Sequence, residues 1–221
     1  MIASAALLCA QQPASSQGPP DSPSATRKPP TDMYSTINRK SLFFPDIATS
    51  ERRLSTGGKF KLFVDNSASL SSILGSAFTA GIGQAEDYPE GYGQGAEGYG
   101  KRFGAVMART ASSQFFGTFV LASVLRQDPR FYPQADPTFG GSIKYAVNRV
   151  FITRNDDGRD VANWSGLLGP AMGEGLANVY LPEDERTAGK TFERYGIDLA
   201  ARAGLNLLRN YWPVLIKRLK H

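Results

Sequence analysis

The sequence predicts a mainly α-helical fold: about five helices in a glycine-rich, tightly packed bundle, with one short hairpin left open near 150–164 and a disordered N-terminal tail. Two observations predict it. Apolar residues recur at helical spacing over segments of helical length, separated by Pro, Gly and Asn-Asp turns. Small residues recur at i, i+4 and i+8 in four of these segments, which places them on one helix face.

The elements follow in chain order. Ile2 to Ala10 is small and apolar, and Gln-Gln-Pro follows; residues 1–10 read as a truncated signal peptide cleaved near Ala10. The run lacks the Lys or Arg of an n-region, and Leu8-Cys9 only approaches a lipoprotein signal, because Leu8 is bulky. Residues 11–32 carry Pro13, Pro19, Pro20, Pro23, Pro29 and Pro30 among Ser and Gln, too little apolar surface to order a linker. Residues 33–59 gain Phe43, Phe44 and Ile47 but keep Pro45 and Gly57-Gly58, and read as an extended arm.

Residues 60–221 form the helical domain, opening on the apolar piece Phe60–Val64. Asn66 or Ser67 caps a first helix reaching about Ala85, with Leu70, Ile73, Leu74, Ala77, Phe78 and Ile82 at helical spacing. A long second helix runs from about Glu97 to Arg126 and stops before Asp128-Pro129. A third covers Ile143–Thr153, and Asn155-Asp156-Asp157-Gly158 makes a turn across which Val150–Thr153 can pair with Val161–Trp164. Trp164–Tyr180 is a fourth helix, capped by Asn163 or Ser165 and closed by Leu181-Pro182. The fifth runs from Thr187 to about Lys220, kinked at Trp212-Pro213.

The small-residue rows are Gly75, Thr79 and Gly83; Gly100, Gly104 and Ala108; Gly169, Gly173 and Ala177; and Gly196, Ala200 and Gly204. Glycine inside an exposed helix costs about 1 kcal/mol against alanine. Rows of it point to close helix–helix approach, the small-xxx-small mode when it happens in membranes. The approach could be within the chain, in a homo-oligomer or against lipid.

Glycines 91–102, GYGQGAEGYGKR, carry two nucleotide spacings: Gly93-x-Gly95-x-x-Gly98 and Gly95-x-x-x-x-Gly100-Lys101. Neither is supported by its context. A phosphate loop follows a strand, and the preceding segment has a helical pattern. Arg102 stands where a magnesium-binding hydroxyl belongs, and residues 117–121 offer no acid for a ribose. No nucleotide is expected. Gly91 to Gly95 read as a connection, and Gly100 and Gly104 as a helix face.

Composition removes whole classes of chemistry. The chain has one cysteine, Cys9, and one histidine, His221, at opposite ends. Cys/His metal sites, Ser-His-Asp triads and Cys-His dyads are excluded from its body. Arg154, Asp156, Asp157 and Asp160 fail the calcium-loop spacing, since Thr153 would be the first ligand and Trp164 the twelfth. Neither metal nor cofactor is expected. Candidate polar sets remain at the two ends of the long helix: Glu97, Lys101 and Arg102 at its start, Asp128 and Arg130 beyond its end. Arg109 interrupts its small, apolar middle.

The net charge of +5 is concentrated: eight Lys/Arg and two Asp/Glu lie from Arg186 onward. Such a segment suits anionic lipid, or simply a helix C-terminus. The most apolar run, Phe115–Leu125, is eleven residues, roughly half of a bilayer span.

The segments YGQGAEGYGKRFGAVMA, QDPRFYP, TRNDDGRDVANWSGLLG, NVYLPEDERTAGKTFERYGIDLA and NYWPVLIKRL, in this order, resemble a family of exported proteins recurrent in acidobacterial genomes. The resemblance covers roughly residues 40–220 and implies an exported, mainly helical protein in the periplasm or outer membrane of a Gram-negative bacterium. It implies no activity.

The leading expectation is a non-enzymatic, envelope-associated protein packing against membrane or partner helices. The alternative is a hydrolase of envelope lipid or glycan using carboxylates near Glu97 and Asp128. Nucleic-acid binding by the basic tail is the weakest reading, since Tyr211 and Trp212 are its only stacking platform.

Overall fold

A computed structural model describes residues 41–219. The signal-like start, the linker 11–32, residues 33–40 of the arm, Lys220 and His221 lie outside the described residues. The fold is mainly helical, with a small three-stranded antiparallel sheet. Among the described residues the six main helices are α1 (Thr56–Ser67), α2 (Leu70–Ala85), α3 (Gly95–Gln114), α4 (Phe139–Phe151), α5 (Trp164–Ala177) and α6 (Ala188–Leu219). The strands are β1 (Gln127–Asp128), β2 (Ile152–Asn155) and β3 (Asp160–Ala162).

Helix α1 replaces the end of the arm. Ser55 Oγ accepts from Gly58 N at 3.1 Å, so Gly57-Gly58 sit in a capped first turn rather than in a linker. What commits this segment to a helix is tertiary. Its inner face buries Lys59, Leu62 and Asn66, and Lys59 Nζ donates to the Ala122 carbonyl at 2.9 Å and to Asp156 Oδ2 at 3.0 Å. The cap of α2 is Ser69, three residues beyond Asn66; its Oγ accepts from Ser72 N.

α3 continues without a break into a π-helical stretch, Phe115–Leu121, and a last α turn, Ala122–Val124. This element is the spine. α2 and α5 pack on α3, α1 and α5 pack on the π stretch, and α4 packs on α6. The hairpin near 150–164 forms, with Ile152 opposite Ala162 and Arg154 opposite Asp160. β1 adds to its free side, Gln127 opposite Asn155. The cap of α5 is Asn163, whose Oδ1 accepts from Gly166 N at 2.9 Å. Ser165 instead donates its backbone N–H to Gln127 Oε1. α6 passes through Pro213 as one helix.

The arm closes one end. Ala48 N donates to the Phe131 carbonyl and Phe131 N to the Asp46 carbonyl, both at 2.8 Å. Phe44 and Ile47 are buried there against Leu205 and Trp212, with the Phe43 ring stacked on Trp212 at 5.0 Å.

Elsewhere the usual distribution of polarity is reversed. The stripe Leu70, Ile73, Leu74, Phe78 and Ile82 of α2 faces outward, while Ser76 and Ala80 face in. α4 exposes Phe139, Ile143, Val147 and Phe151 and buries Ser142, Ala146 and Arg149. α5 exposes Trp164, Leu168, Met172 and Leu176 and buries Ser165, Gly169, Gly173 and Glu174. Hydrogen-bonded polar groups hold much of the interior. Asn210 is fully buried: its Nδ2 donates to Gln134 Oε1 and Ser142 Oγ, and its Oδ1 accepts from Gln134 N. Apolar burial, the ordinary driving force of a soluble fold, forms a cluster at the arm, while Leu62, Phe131, Val150 and Leu181 are buried outside that cluster.

Candidate functional site

The glycine-rich stretch is a loop clamped by Arg102. Its guanidinium is 2% exposed and donates to the Tyr88, Gly93 and Pro89 carbonyls, to Gln84 Oε1 and to Asp87 Oδ1. These acceptors use up the donors of the fork, leaving none for a phosphate. The glycines fit this loop. Gly93 and Gly95 have φ of +70° and +77°, a region that favours glycine. A Cβ at Gly98 would overlap the Gly93 carbonyl, and one at Gly83 would lie 2.6 Å from the Tyr88 carbonyl.

The small-residue rows divide. α5 uses its row for close contact with the spine: a Cβ at Gly169 would lie 2.6 Å from Gly117 N, and one at Gly173 would lie 2.9 Å from Ser113 N. Gly75, Gly100, Gly104, Gly196 and Gly204 have nothing within 4 Å of a Cβ position. No described helix packs on these five, so close packing inside the chain is not their role.

The five polar candidates do not form one site. Glu97 and Lys101 make a surface ion pair of 2.7 Å, and Lys101 holds the exposed Glu97 carboxyl below its ordinary range. Asp128 and Arg130 lie past the other end of the spine, roughly 40 Å away at 1.5 Å per residue. There Asp128 accepts from Arg130 Nη2 at 2.6 Å, from Arg130 Nε at 2.9 Å and from Tyr132 OH at 2.8 Å. Burial pushes the Asp128 carboxyl up, but the Arg130 guanidinium and the Tyr132 hydroxyl outweigh it and hold it below its ordinary range. Tyr132 is raised well above its ordinary value, first by burial and then by Asp128. Arg130 also donates to the carbonyls of Ser50 and Arg52, tying the arm to the spine. A hydrolytic pair of Glu97 and Asp128 is therefore not assembled. Among the described residues no three His, Cys, Asp or Glu side chains are grouped for a metal ion. Asp156 of the turn pairs with Lys59.

What sequence reasoning missed is an open, polar cleft of about 310 Å³ between α2 and α6, floored by α3, the π stretch and the loop before α5. One wall is Ser71, Ser72, Ser76 and Thr79 of α2; the facing wall is Asp198, Arg202, Asn206 and Arg209 of α6. The floor supplies Arg109, Thr110, Ser113 and Gln114, and Arg149 closes one side. α2 and α6 share no packed interface, so the cleft stays open between them.

The arginines of the cleft are tethered by carboxylates, Arg130 most fully, through Asp128 and the Ser50 and Arg52 carbonyls. Arg109 Nε sits 3.0 Å from Glu174 Oε1, Arg202 Nε donates to Asp198 at 2.8 Å, and Arg209 Nε lies 2.9 Å from Asp46 Oδ2. Arg149 Nη1 donates to Asp160 at 3.2 Å. Glu174 is 2% exposed and also accepts from Arg194 Nε, at 2.9 Å. It is thus the buried anchor of two cations. The sequence signal for this was Arg109, out of place in a small-residue helix; its partner, 65 positions away, carried none.

No protein-family model, curated protein or solved structure matches the chain. The acidobacterial resemblance rests on its sequence segments alone.

Proposed function

We propose that the protein is a non-enzymatic component of the cell envelope whose outer helix faces lie against lipid. The observation that carries this is the reversed polarity: aliphatic and aromatic stripes of α2, α4 and α5 face outward around an interior of Arg, Glu, Asn and Ser. In water, large contiguous apolar surfaces of this kind are rare on a monomer. In contact with lipid they are the favoured arrangement, with polar groups turned inward and paired.

The dimensions favour partial rather than complete insertion. Leu70 to Ile82, Phe139 to Phe151 and Trp164 to Leu176 each span about 18 Å at 1.5 Å per residue. A full hydrocarbon core is about 30 Å, so these stripes match one leaflet. Among the described residues no helix is long and apolar enough to cross a membrane. The last turn of α6 carries Lys217 and Arg218, a charge that favours an anionic surface. Placement in the envelope rests on the start of the chain and on the acidobacterial resemblance.

Vesicle flotation tests the reading. Purified protein should float with phosphatidylglycerol vesicles and less with phosphatidylcholine alone. A strict monomer that stays at the bottom of the gradient with both would overturn it. Assembly into a stable oligomer that ignores vesicles would give the outer faces to a second copy instead.

A further inference from the structure

We propose that the cleft between α2 and α6 binds a phosphate ester of a polyol. The inference rests on the donor and acceptor balance of the cleft and stands whether or not the outer faces meet lipid.

The guanidinium groups supply donors in excess. Arg109 and Arg202 each use only Nε on a carboxylate, and among the described residues their terminal nitrogens have no acceptor. Both residues line the cleft, and a single carboxylate on Nε leaves the remaining N–H groups of such a fork available to a ligand there. Those N–H groups call for a ligand with several acceptor oxygens at one point. A tetrahedral phosphate meets that, and guanidinium forks match it in geometry and charge. Five arginines line the cleft against two aspartates, Asp46 and Asp198. The other counter-charges, Glu174, Asp128 and Asp160, hold these arginines from outside the lining.

The rest of the lining asks for hydroxyls. Ser71, Ser76, Thr110 and Ser113 supply side-chain oxygens that both donate and accept, while Ser72 and Thr79 spend their hydroxyl hydrogens on the Asn66 and Gly75 carbonyls. At one end Asn66 Oδ1 is buried with no donor, although its Nδ2 lies 3.4 Å from Gln114 Oε1. A buried acceptor without a partner is destabilising, and a hydroxyl entering the cleft would satisfy it. Apolar side chains, among them Val106, Phe131, Val150, Ile197 and Leu205, share the lining with these groups.

The phosphate ester can be free or can be the headgroup of a lipid. Calorimetric titration with glycerol 3-phosphate tests the first source, and binding to phosphatidylglycerol vesicles tests the second. Arg202→Gln and Thr110→Val are the cleft variants, and the exposed Arg159→Gln is the charge control outside it. Saturable binding of glycerol 3-phosphate, weakened about tenfold by Arg202→Gln and untouched by Arg159→Gln, supports the proposal with a free ligand. No titration signal, but vesicle affinity that falls about tenfold in Arg202→Gln and not in Arg159→Gln, supports it with a lipid headgroup. If Arg202→Gln does not fold, Thr110→Val takes its place with a smaller loss, about threefold. Binding to neither probe overturns the proposal, as does binding that all three variants leave equal to the parent. Flotation that persists with cleft variants at full strength would overturn the headgroup arm while leaving lipid contact by the outer faces intact.

Discussion

Gly169 of α5 and Gly117 of the π stretch meet backbone to backbone, with no side chain on either between the two elements. A methyl group at 169 would lie 2.6 Å from Gly117 N and 3.1 Å from the Ser113 carbonyl. Neither is the end of a flexible side chain, so neither can swing aside. Gly169→Ala should lower stability by about 3 kcal/mol, the upper range for overpacking. Gly100→Ala, in open space inside a helix, should instead raise it by up to about 1 kcal/mol. Urea denaturation of the two variants gives the opposite signs directly; equal destabilisation would mean that something covers Gly100.

The Glu174 carboxylate anchors Arg109 and Arg194 together. Glu174→Gln keeps the shape but leaves two cations around a neutral amide. The loss should be about 3 kcal/mol or more, the range for breaking a buried pair by removing one partner. Replacing the exposed Glu97 by Gln should leave stability nearly unchanged, because solvent screens its ion pair with Lys101. Thermal unfolding of both variants checks the contrast.

Acid should release the arm through Asp128. Its folded carboxyl is held below the ordinary value, so it binds a proton less readily than in the unfolded chain. The stability this contributes is full above the ordinary carboxylate range and is lost as pH falls through the depressed folded value. Asp128→Asn should therefore lower the melting temperature near neutrality and flatten its fall between about pH 5 and pH 2. A melting temperature that tracks the parent over that whole range would show that the Asp128–Arg130 pair does not hold the arm.

Two tryptophans report on different places. Trp164 is 54% exposed at the head of the outward stripe of α5, whereas Trp212 packs against Phe43 and Phe44. Phosphatidylglycerol vesicles should shift the emission to the blue, and Trp164→Phe should abolish that shift while Trp212→Phe retains it. The reverse pattern would place lipid at the arm.

The helical class and much of the layout were legible because they rest on local signals. The Asn155-Asp156-Asp157-Gly158 turn marks the hairpin, and Asn163 marks the start of α5. α1 was hidden because Gly57-Gly58 reads as a breaker, and only the distant partners of Lys59, Ala122 and Asp156, reveal why that turn is helical. β1 is two residues long and has no pattern of its own. The larger surprise is one of sign. Periodicity at Leu70, Ile73, Leu74, Phe78 and Ile82 establishes that a helix has an apolar face, and says nothing of which side it turns to the chain. Likewise the spacing of Gly100 and Gly104 defines a bare strip without saying what lies over it. The cleft escaped for the same reason: its walls come from segments far apart in the chain, Ser71 to Thr79 and Asp198 to Arg209, and what unites them is the gap left between α2 and α6.

The π stretch has a consequence for the phase of everything downstream. Within Phe115–Leu121 the backbone bonds span one residue more than in an α-helix. Winding the same residues as a regular α-helix, with none removed, would turn all that follows by about 100°. Gln127, whose amide bridges the Ala162 carbonyl and the Ser165 N–H, would then point away from both. The widened turn thus works as a clocking device, setting the angle at which the spine hands the chain to the sheet and to α5.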